Sequence, residues 1–193
     1  MKLRHVAGVA LFLVGGAAQS ASFVGDVDAL ANSTTGGVGR STGIVLNPGD
    51  SFSILAAPTD LWNAGPLPRW SNANGLLGDL FATGTDDSLQ ASGVQIGQAF
   101  ALLTQYGLTA PYGELVGSFD SGTTFFKVGT SYSAVFSGVS AATLKLYYWD
   151  ENNFDNTGSV QVSVQSIPEP GTYAMFFAGL GVMGFLASRR RRQ

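Results

Sequence analysis

Two segments near the end of the chain place apolar residues at every second position. In 159–165 three valines at every second position alternate with Gln and Ser, and 143–149 alternates in the same way. An apolar side with a period of two is buried efficiently only when the segment is a β-strand lying on a core. Further short apolar runs are separated by turn residues, such as Asn-Pro-Gly-Asp at 47–50. This pattern predicts an all-β domain, specifically a jelly-roll-like β-sandwich.

The same pattern predicts some details of the middle of the chain. The segments 143–149 and 159–165 are expected to pair as a hairpin across a long connection. Residues 60–74, with two prolines and two tryptophans, are expected to form an irregular loop, and a short helix around 98–106 is left open.

The first 21 residues have the three parts of a secretory signal. Lys2 and Arg4 precede an apolar run over 6–18, and small residues follow over 17–21. This order predicts a signal peptide over 1–21, removed after Ser20 or Ala21.

The last 27 residues, 167–193, have a different three-part order. Pro168-Glu169-Pro170 ends any preceding strand, because two prolines remove two backbone donors. Residues 172–188 carry no charge, and as a helix they would extend for about 25 Å, enough for a thin bilayer. Four basic residues then hold the end in the cytoplasm by the positive-inside rule. They are Arg189, Arg190, Arg191 and Arg192.

This tail resembles the PEP-CTERM sorting signal of Gram-negative bacteria. The resemblance implies a transmembrane sorting helix in the inner membrane and processing by an exosortase near Pro-Glu-Pro. It also implies a later location at the cell surface or in the extracellular matrix, in association with exopolysaccharide and biofilm. The folded domain then lies between the two ends, over 22–166.

The charge and composition of this domain exclude several functions. Between residues 22 and 167 four basic residues face twelve acidic ones, a net charge of −8, which predicts that the domain repels nucleic acid. The chain has no Cys, and its one His is His5, inside the predicted signal. The domain therefore has no Ser-His-Asp or Cys-His nucleophilic site, and a zinc site is disfavoured.

The strongest chemical signal in the domain is the connection at 150–158. It carries three carboxylates and three side-chain amides in nine residues. Calcium takes six to eight oxygen ligands of these kinds. Asp and Asn are also favoured in ordinary turns, where they bond to their own backbone, and the EF-hand spacing is absent.

The domain also resembles the small calcium-dependent galactophilic lectins of the PA-IL type, a β-sandwich family. Four motifs occur in the family's order over about residues 23–166: Asn-Pro-Gly-Asp at 47–50, Gly-Pro-Leu-Pro-Arg-Trp at 65–70, Gly-Glu-Leu-Val at 113–116, and Asp150 followed by Asp-Asn-Thr-Gly at 155–158. The resemblance implies a calcium ion bound by the side chains of Asp150, Asp155 and Asn156 and by the backbone carbonyl of Ala64. The family's sugar-binding His has no counterpart here, so the resemblance supports a calcium site more strongly than it supports galactose binding.

These observations predict an exported, non-enzymatic surface or matrix protein that binds exopolysaccharide or another glycan in a lectin-like way, with a calcium site. One alternative is a structural matrix or surface protein without a specific ligand. A second is a polysaccharide-acting hydrolase, which needs two carboxylates about 5–10 Å apart. No spacing singles out such a pair. Trp62, Trp70, Trp149 and Tyr112 are available for stacking on a sugar, although tryptophans in β-sandwiches usually belong to the core.

Overall fold

The computed structural model describes residues 20–167 and 179–183. The chain divides into two compact units, Ser20–Pro168 and a second one made of Met1–Gln19 with Glu169–Gln193. In the second unit the described residues, 179–183, are helical, and the predicted signal peptide up to residue 19 lies outside them. The predicted sorting helix at 172–188 also lies outside them except for this short stretch. No helix in the described part of the chain is both long and apolar enough to span a membrane.

The first unit is all-β, which confirms the predicted fold class. Within 20–167 the chain forms fourteen strands. They are β1 (Ala21–Asp28), β2 (Arg40–Leu46), β3 (Ser51–Ala56), β4 (Trp62–Asn63), β5 (Trp70–Ser71), β6 (Leu80–Phe81), β7 (Gln95–Gly97), β8 (Leu102–Gln105), β9 (Leu108–Pro111), β10 (Leu115–Ser118), β11 (Phe126–Lys127), β12 (Ser131–Val135), β13 (Ala142–Tyr148) and β14 (Thr157–Ile167).

Two sheets contribute the main core. The larger has the order β12-β3-β14-β4-β5, and β1 pairs along the other edge of β14. The smaller has the order β11-β10-β13-β2. Two further pairs, β6-β7 and β8-β9, form small sheets of their own.

The alternating segments supply the centre of this core. The apolar side of β13 (Leu144, Leu146, Tyr148) and that of β14 (Val160, Val162, Val164) are completely buried and belong to the same cluster. Complete burial of each Val or Leu side chain contributes about 1.5–3 kcal/mol, so these two strands alone account for a large part of the packing free energy.

The predicted hairpin of β13 and β14 is wrong. β13 pairs with β10 and β2 in one sheet, whereas β14 pairs with β1, β3 and β4 in the other. Both strands keep their predicted apolar sides, because alternation determines which side is buried but not which strand lies alongside. The 149–156 connection therefore crosses from one sheet to the other.

Two other local expectations also need correction. The segment around 98–106 contains β8 and the turn into β9 instead of a helix. Tyr106 and Gly107 have φ of 48° and 78°, as in the two-residue turns that match the twist of a hairpin. The expected irregular loop at 60–74 contains the short strands β4 and β5, which pair with each other.

Candidate calcium site

The connection between the two sheets lies beside the β4–β5 turn, and together they form the candidate site. Asp150 lies at its start, and Asp155 and Asn156 lie at its end, just before β14. Ala64 follows β4. The crossing between sheets is what brings the end of β13, the start of β14 and the β4–β5 turn to one place, since β14 pairs directly with β4.

Asp150 is held in position through its backbone. Its carbonyl oxygen accepts hydrogen bonds from Thr34 Oγ1 at 3.0 Å and from Gln105 Nε2 at 3.1 Å. Its N–H donates to Thr34 Oγ1 at 3.1 Å, and its side-chain Oδ1 accepts from the N–H of Glu151 at 2.7 Å. The side chain is only 2% exposed. Sequence analysis did not identify Thr34 and Gln105, which are 116 and 45 residues away in the chain.

Asn156 is oriented by two carbonyl groups. Its Nδ2 donates to the carbonyl oxygens of Ala29 and Asn152, both at 3.2 Å. Because Nδ2 is bonded in this way, the orientation of the amide is determined, and Oδ1 points away from both carbonyls. The residue is 1% exposed, and this Oδ1 has no hydrogen-bond partner among the described residues.

Asp155 packs against the backbone of the β4–β5 turn. A Cβ added at Gly65 would lie 2.5 Å from Asp155 Oδ2, and Gly65 has a φ of +121°. Only glycine therefore allows this approach. The adjacent Ala64 donates its N–H to the carbonyl oxygen of Arg69 at 3.0 Å. Asp155 thus packs against the residue that directly follows the predicted backbone ligand Ala64.

Four buried side-chain oxygens in this region have no hydrogen-bond partner within 20–167. They are Asn63 Oδ1, Asn152 Oδ1, Asp155 Oδ1 and Asn156 Oδ1. An unsatisfied buried polar atom costs about 1–3 kcal/mol, so four in one region are a large deficit. Carboxylate and amide oxygens can only accept, and the missing partner is therefore a donor or a cation.

Asn63 is a site residue that the sequence did not indicate. It lies two residues before Gly65, and its Nδ2 is 3.5 Å from Thr157 Oγ1 in the facing strand. Thr157 follows Asp155 by two residues, so this contact places Asn63 beside the end of the connection. The only signal available in the sequence was its position next to Ala64.

The electrostatics of the site also indicate a missing positive charge. Burial raises the pKa of Asp150 to about 6, and the negative charge of Asp155 adds to this effect. Hydrogen bonds from the backbone N–H groups of Glu151 and Asn152 oppose it. Burial, and then the charges of Asp150 and Asp155, hold the pKa of the Tyr148 hydroxyl well above its usual range. A cation at this position would stabilise both carboxylates in the ionised form.

The residues present fit calcium in donor chemistry. Asp150, Asp155 and Asn156 lie at the two ends of the connection, and Ala64 directly precedes Gly65, against which Asp155 packs. The described residues contain no group of three His, Cys, Asp or Glu that could hold a metal. The candidate calcium site has only two carboxylates, and its other oxygens come from amides and the backbone. Such a mixed oxygen set is typical of calcium and unlike zinc.

An aromatic and charged rim adjoins this site. The Tyr112 ring packs edge-on against Phe100, with 5.2 Å between centroids. Burial is the main reason that the pKa of the Tyr112 hydroxyl is raised to about 12. The hydrogen bond to Glu151 and the negative charges of Glu151 and Asp150 raise this pKa further. The guanidinium of Arg69 lies 4.2 Å from the Phe100 ring centroid. Glu151 follows Asp150 directly, and Tyr112 lies beside the connection because the N–H of the adjacent Gly113 donates to the carbonyl oxygen of Trp149 at 2.9 Å.

Two of the three tryptophans belong to the core. Trp62 and Trp149 are completely buried, and their Nε1 atoms donate to Gly113 O at 2.9 Å and Leu103 O at 3.3 Å. Trp70 is half-buried and packs against the small cluster around Leu61. Of the four aromatic residues considered for sugar stacking, Tyr112 is the one that borders the oxygen-rich site.

Other acidic residues are engaged by their own loops. Asp120 accepts hydrogen bonds from the Ser118 and Thr124 hydroxyls and from the N–H groups of Thr123 and Thr124. Asp86 accepts from the Thr83 hydroxyl at 2.9 Å and from the N–H of Ser88 at 3.1 Å. These carboxylates have turn-forming roles, and nothing in their arrangement singles out a pair for glycoside hydrolysis.

Comparison with known proteins gave two findings. Residues 166–192 match the PEP-CTERM protein-sorting motif, which confirms the resemblance of the tail. A solved structure described as "EclA N-terminal domain; PllA-like lectin" is similar at 21% sequence identity and a TM-score of 0.45, covering 75% of this chain and 96% of that one. No curated protein matches the chain.

The sorting motif implies an exported protein that is membrane-anchored before processing by an exosortase. The last strand, β14, ends at Ile167, directly before the Pro-Glu-Pro segment. The sorting-signal residues Pro168, Glu169, Pro170 and Arg189 to Arg192 lie outside the described residues.

Proposed function

We propose that this chain is an exported surface or matrix protein whose β-domain binds calcium and, through the calcium site, a glycan. The ion would be held by the side chains of Asp150, Asp155 and Asn156 and by the carbonyl of Ala64. The glycan would be exopolysaccharide of the biofilm in which the protein resides after processing.

One observation carries the calcium part of the proposal. Four of the seven buried side-chain atoms without a hydrogen-bond partner within 20–167 belong to the connection and to Asn63 at the end of β4, and one of the four is an oxygen of the Asp155 carboxylate. An amide oxygen as buried as Asn156 Oδ1, with its Nδ2 fully engaged, is retained in a fold when something else binds it.

The glycan part follows from how much of a calcium shell the protein can supply. Calcium takes six to eight oxygen ligands. A calcium ion bound here would be able to coordinate two neighbouring hydroxyl groups of a sugar. Asp150, Asp155, Asn156 and Ala64 leave positions for oxygens from outside the chain. Tyr112 offers an aromatic body and a hydroxyl beside those positions, as sugar-binding sites commonly do.

The first test is thermal unfolding of the full chain in detergent micelles, with calcium, with magnesium and with EDTA. Calcium at 100 times its Kd stabilises by about 2.7 kcal/mol, which raises the Tm of a domain of this size by roughly 5–10 °C. We expect calcium to give this rise and magnesium to give little, because magnesium requires an octahedral shell and retains its waters. A Tm that is indifferent to both calcium and EDTA would refute the calcium site.

The second test is binding of the calcium-loaded and EDTA-treated protein to a glycan array. Retention on glycans in calcium, lost in EDTA, is the expected result. If calcium raises the Tm while no glycan is retained, the protein is a calcium-stabilised structural component of the matrix and the glycan part of the proposal fails.

A further inference from the structure

Arg69 lies next to Ala64, the predicted backbone ligand of the candidate calcium site. Its carbonyl oxygen accepts the N–H of Ala64, the predicted backbone ligand, at 3.0 Å, and its backbone also bridges to Gly97. Gly97 has no room for a side chain, since a Cβ there would lie 2.2 Å from Trp70 O. The backbone of Arg69 is therefore fixed on both sides.

The Arg69 guanidinium is positioned by an aromatic ring and not by an acid. Its Cζ lies 4.2 Å from the Phe100 centroid, and Phe100 in turn packs edge-on against Tyr112. Stacking uses the flat face of the guanidinium and leaves its N–H edge available. The one ion pair within 20–167 is Lys127–Glu114, so Arg69 pairs with no carboxylate there.

Within 20–167 Arg69 shares the lack of an ion pair with Arg40 and Lys145, and its position is what distinguishes it. Four basic residues face twelve acidic ones between 22 and 167, yet Arg69 is stacked on a ring that is itself 39% exposed. Gly113, the residue after Tyr112, donates its N–H to the carbonyl oxygen of Trp149, directly before Asp150, at 2.9 Å, so the rings that position Arg69 lie beside the connection. Arg69 and the candidate metal ligands thus border one surface.

Charge balance then favours a particular ligand. Two carboxylates, Asp150 and Asp155, would be neutralised by one calcium ion, and Arg69 would balance the exposed Glu151. The calcium-filled site would be close to neutral, whereas the empty one repels anions. An Arg with a free N–H edge is the side chain best suited to bind a carboxylate with two parallel hydrogen bonds.

We propose that Arg69 makes the site selective for acidic glycans, with the carboxylate of a uronic acid on the Arg69 guanidinium and sugar hydroxyls on calcium. This inference rests on the proposed function, because it assigns the ligand class of that same site.

The test compares pairs of sugars with and without a carboxylate. The full chain in detergent micelles, saturated with calcium, is titrated with the methyl glycosides of glucuronic, galacturonic and mannuronic acid. Each is paired with the neutral glycoside that carries a hydroxyl at C6. We expect at least one uronoside to bind about tenfold more tightly than its neutral partner at low salt, with the preference falling as salt is raised.

Three variants separate the role of Arg69 from a general loss of structure. Arg69→Gln should abolish the preference for the uronoside, and Arg69→Lys should retain part of it. Arg40→Gln is the matched control, because Arg40 also lies over a phenylalanine, Phe23, at 5.5 Å. It should keep the full preference.

The outcomes distinguish this inference from the function on which it rests. Calcium-dependent binding that is equal for acidic and neutral sugars, or lowered equally for both by Arg69→Gln, overturns the role of Arg69 and leaves the calcium-dependent glycan site intact. Absence of calcium binding in calorimetry overturns both.

Discussion

Two acidic loops at opposite ends of the smaller sheet shift the pKa values of their carboxylates in opposite directions. β10 and β13 are antiparallel neighbours, so Asp120, after β10, and Asp150, after β13, lie at opposite ends. The Asp120 carboxylate collects hydrogen bonds from nearby Ser and Thr groups, which lower its pKa to about 2 against the effect of its burial. Burial raises the pKa of Asp150 to about 6.

The comparison separates a turn from a site. Both loops are rich in oxygen and either could be described from sequence as turn-forming. The 118–124 loop satisfies its own carboxylate, whereas Asp150 lies in a region that leaves four buried oxygens without partners. A carboxylate that completes its own loop needs nothing further, and one that is buried among unpaired acceptors is suited to a cation.

The largest expected effect is on calcium affinity when Asp150 is changed to Asn. Removal of a charged ligand should weaken calcium binding by at least about 100-fold. Without calcium, at pH 7.5, the variant should be as stable as the wild type or more stable, because the buried charge is gone while the bond from Glu151 N–H is kept. Calorimetry and Tm measured in EDTA check both parts. A variant that is less stable in EDTA yet binds calcium normally would contradict the assignment.

Gly65→Ala should have the next largest effect. The added Cβ would collide with Asp155 Oδ2 at 2.5 Å, so calcium affinity should fall about 10–100-fold. Gly93→Ala is the control: its φ is +86° and no atom lies within 4 Å of the added Cβ. Both variants should lose about 1 kcal/mol of stability from backbone strain, while only Gly65→Ala loses calcium affinity. Equal calcium titrations for the two would place Asp155 outside the site.

A variant of Glu114 tests whether a buried carboxylate outside the candidate calcium site destabilises the fold. Burial raises its pKa to about 7, against the opposing charge of Lys127 at 3.9 Å. Its charged form is disfavoured in the fold, so its contribution to stability falls as pH rises from about 4.5 to 7. Glu114→Gln should therefore gain about 1–2 kcal/mol relative to the wild type between pH 5 and pH 8.5, after allowance for solvent screening. Urea unfolding at the two pH values measures this gain; a difference independent of pH would argue against it.

The smallest expected effect is that of Asp120→Asn. The lowered pKa means that this carboxylate stabilises the fold above about pH 4 and stops doing so as pH falls through about 2. At neutral pH the variant should lose about 0.5–1 kcal/mol, as for the loss of a capping residue, with an unchanged rise in Tm on calcium addition. A reduced calcium response here would remove the distinction between the two loops.

Much of the fold was predictable because strand alternation is a local property. The buried sides of β3, β13 and β14 are those that alternation indicates, and the turn at 47–50 lies between β2 and β3. The β8–β9 hairpin was missed because its two-residue turn, Tyr106-Gly107, requires positive φ at a tyrosine, which is not a strong turn residue.

The candidate site was predictable only in part. Asp150, Asp155 and Asn156 stand out in the sequence as an oxygen-rich run, and the resemblance to the lectin family added Ala64. Asn63, Thr34 and Gln105 could not be found in this way, because their roles depend on contacts with residues far along the chain.

The sequence by itself determined the sides of the strands that are buried, the acidic character of the domain and the sorting motif at its end, since each is encoded in neighbouring residues. Only the tertiary structure decided that β13 and β14 belong to different sheets, that four oxygens near their connection have no partner, and that Arg69 lies on Phe100 beside them. The reason is physical: hydrogen-bond satisfaction and charge pairing are properties of groups that meet in space, and residues far apart in the chain provide most of the partners.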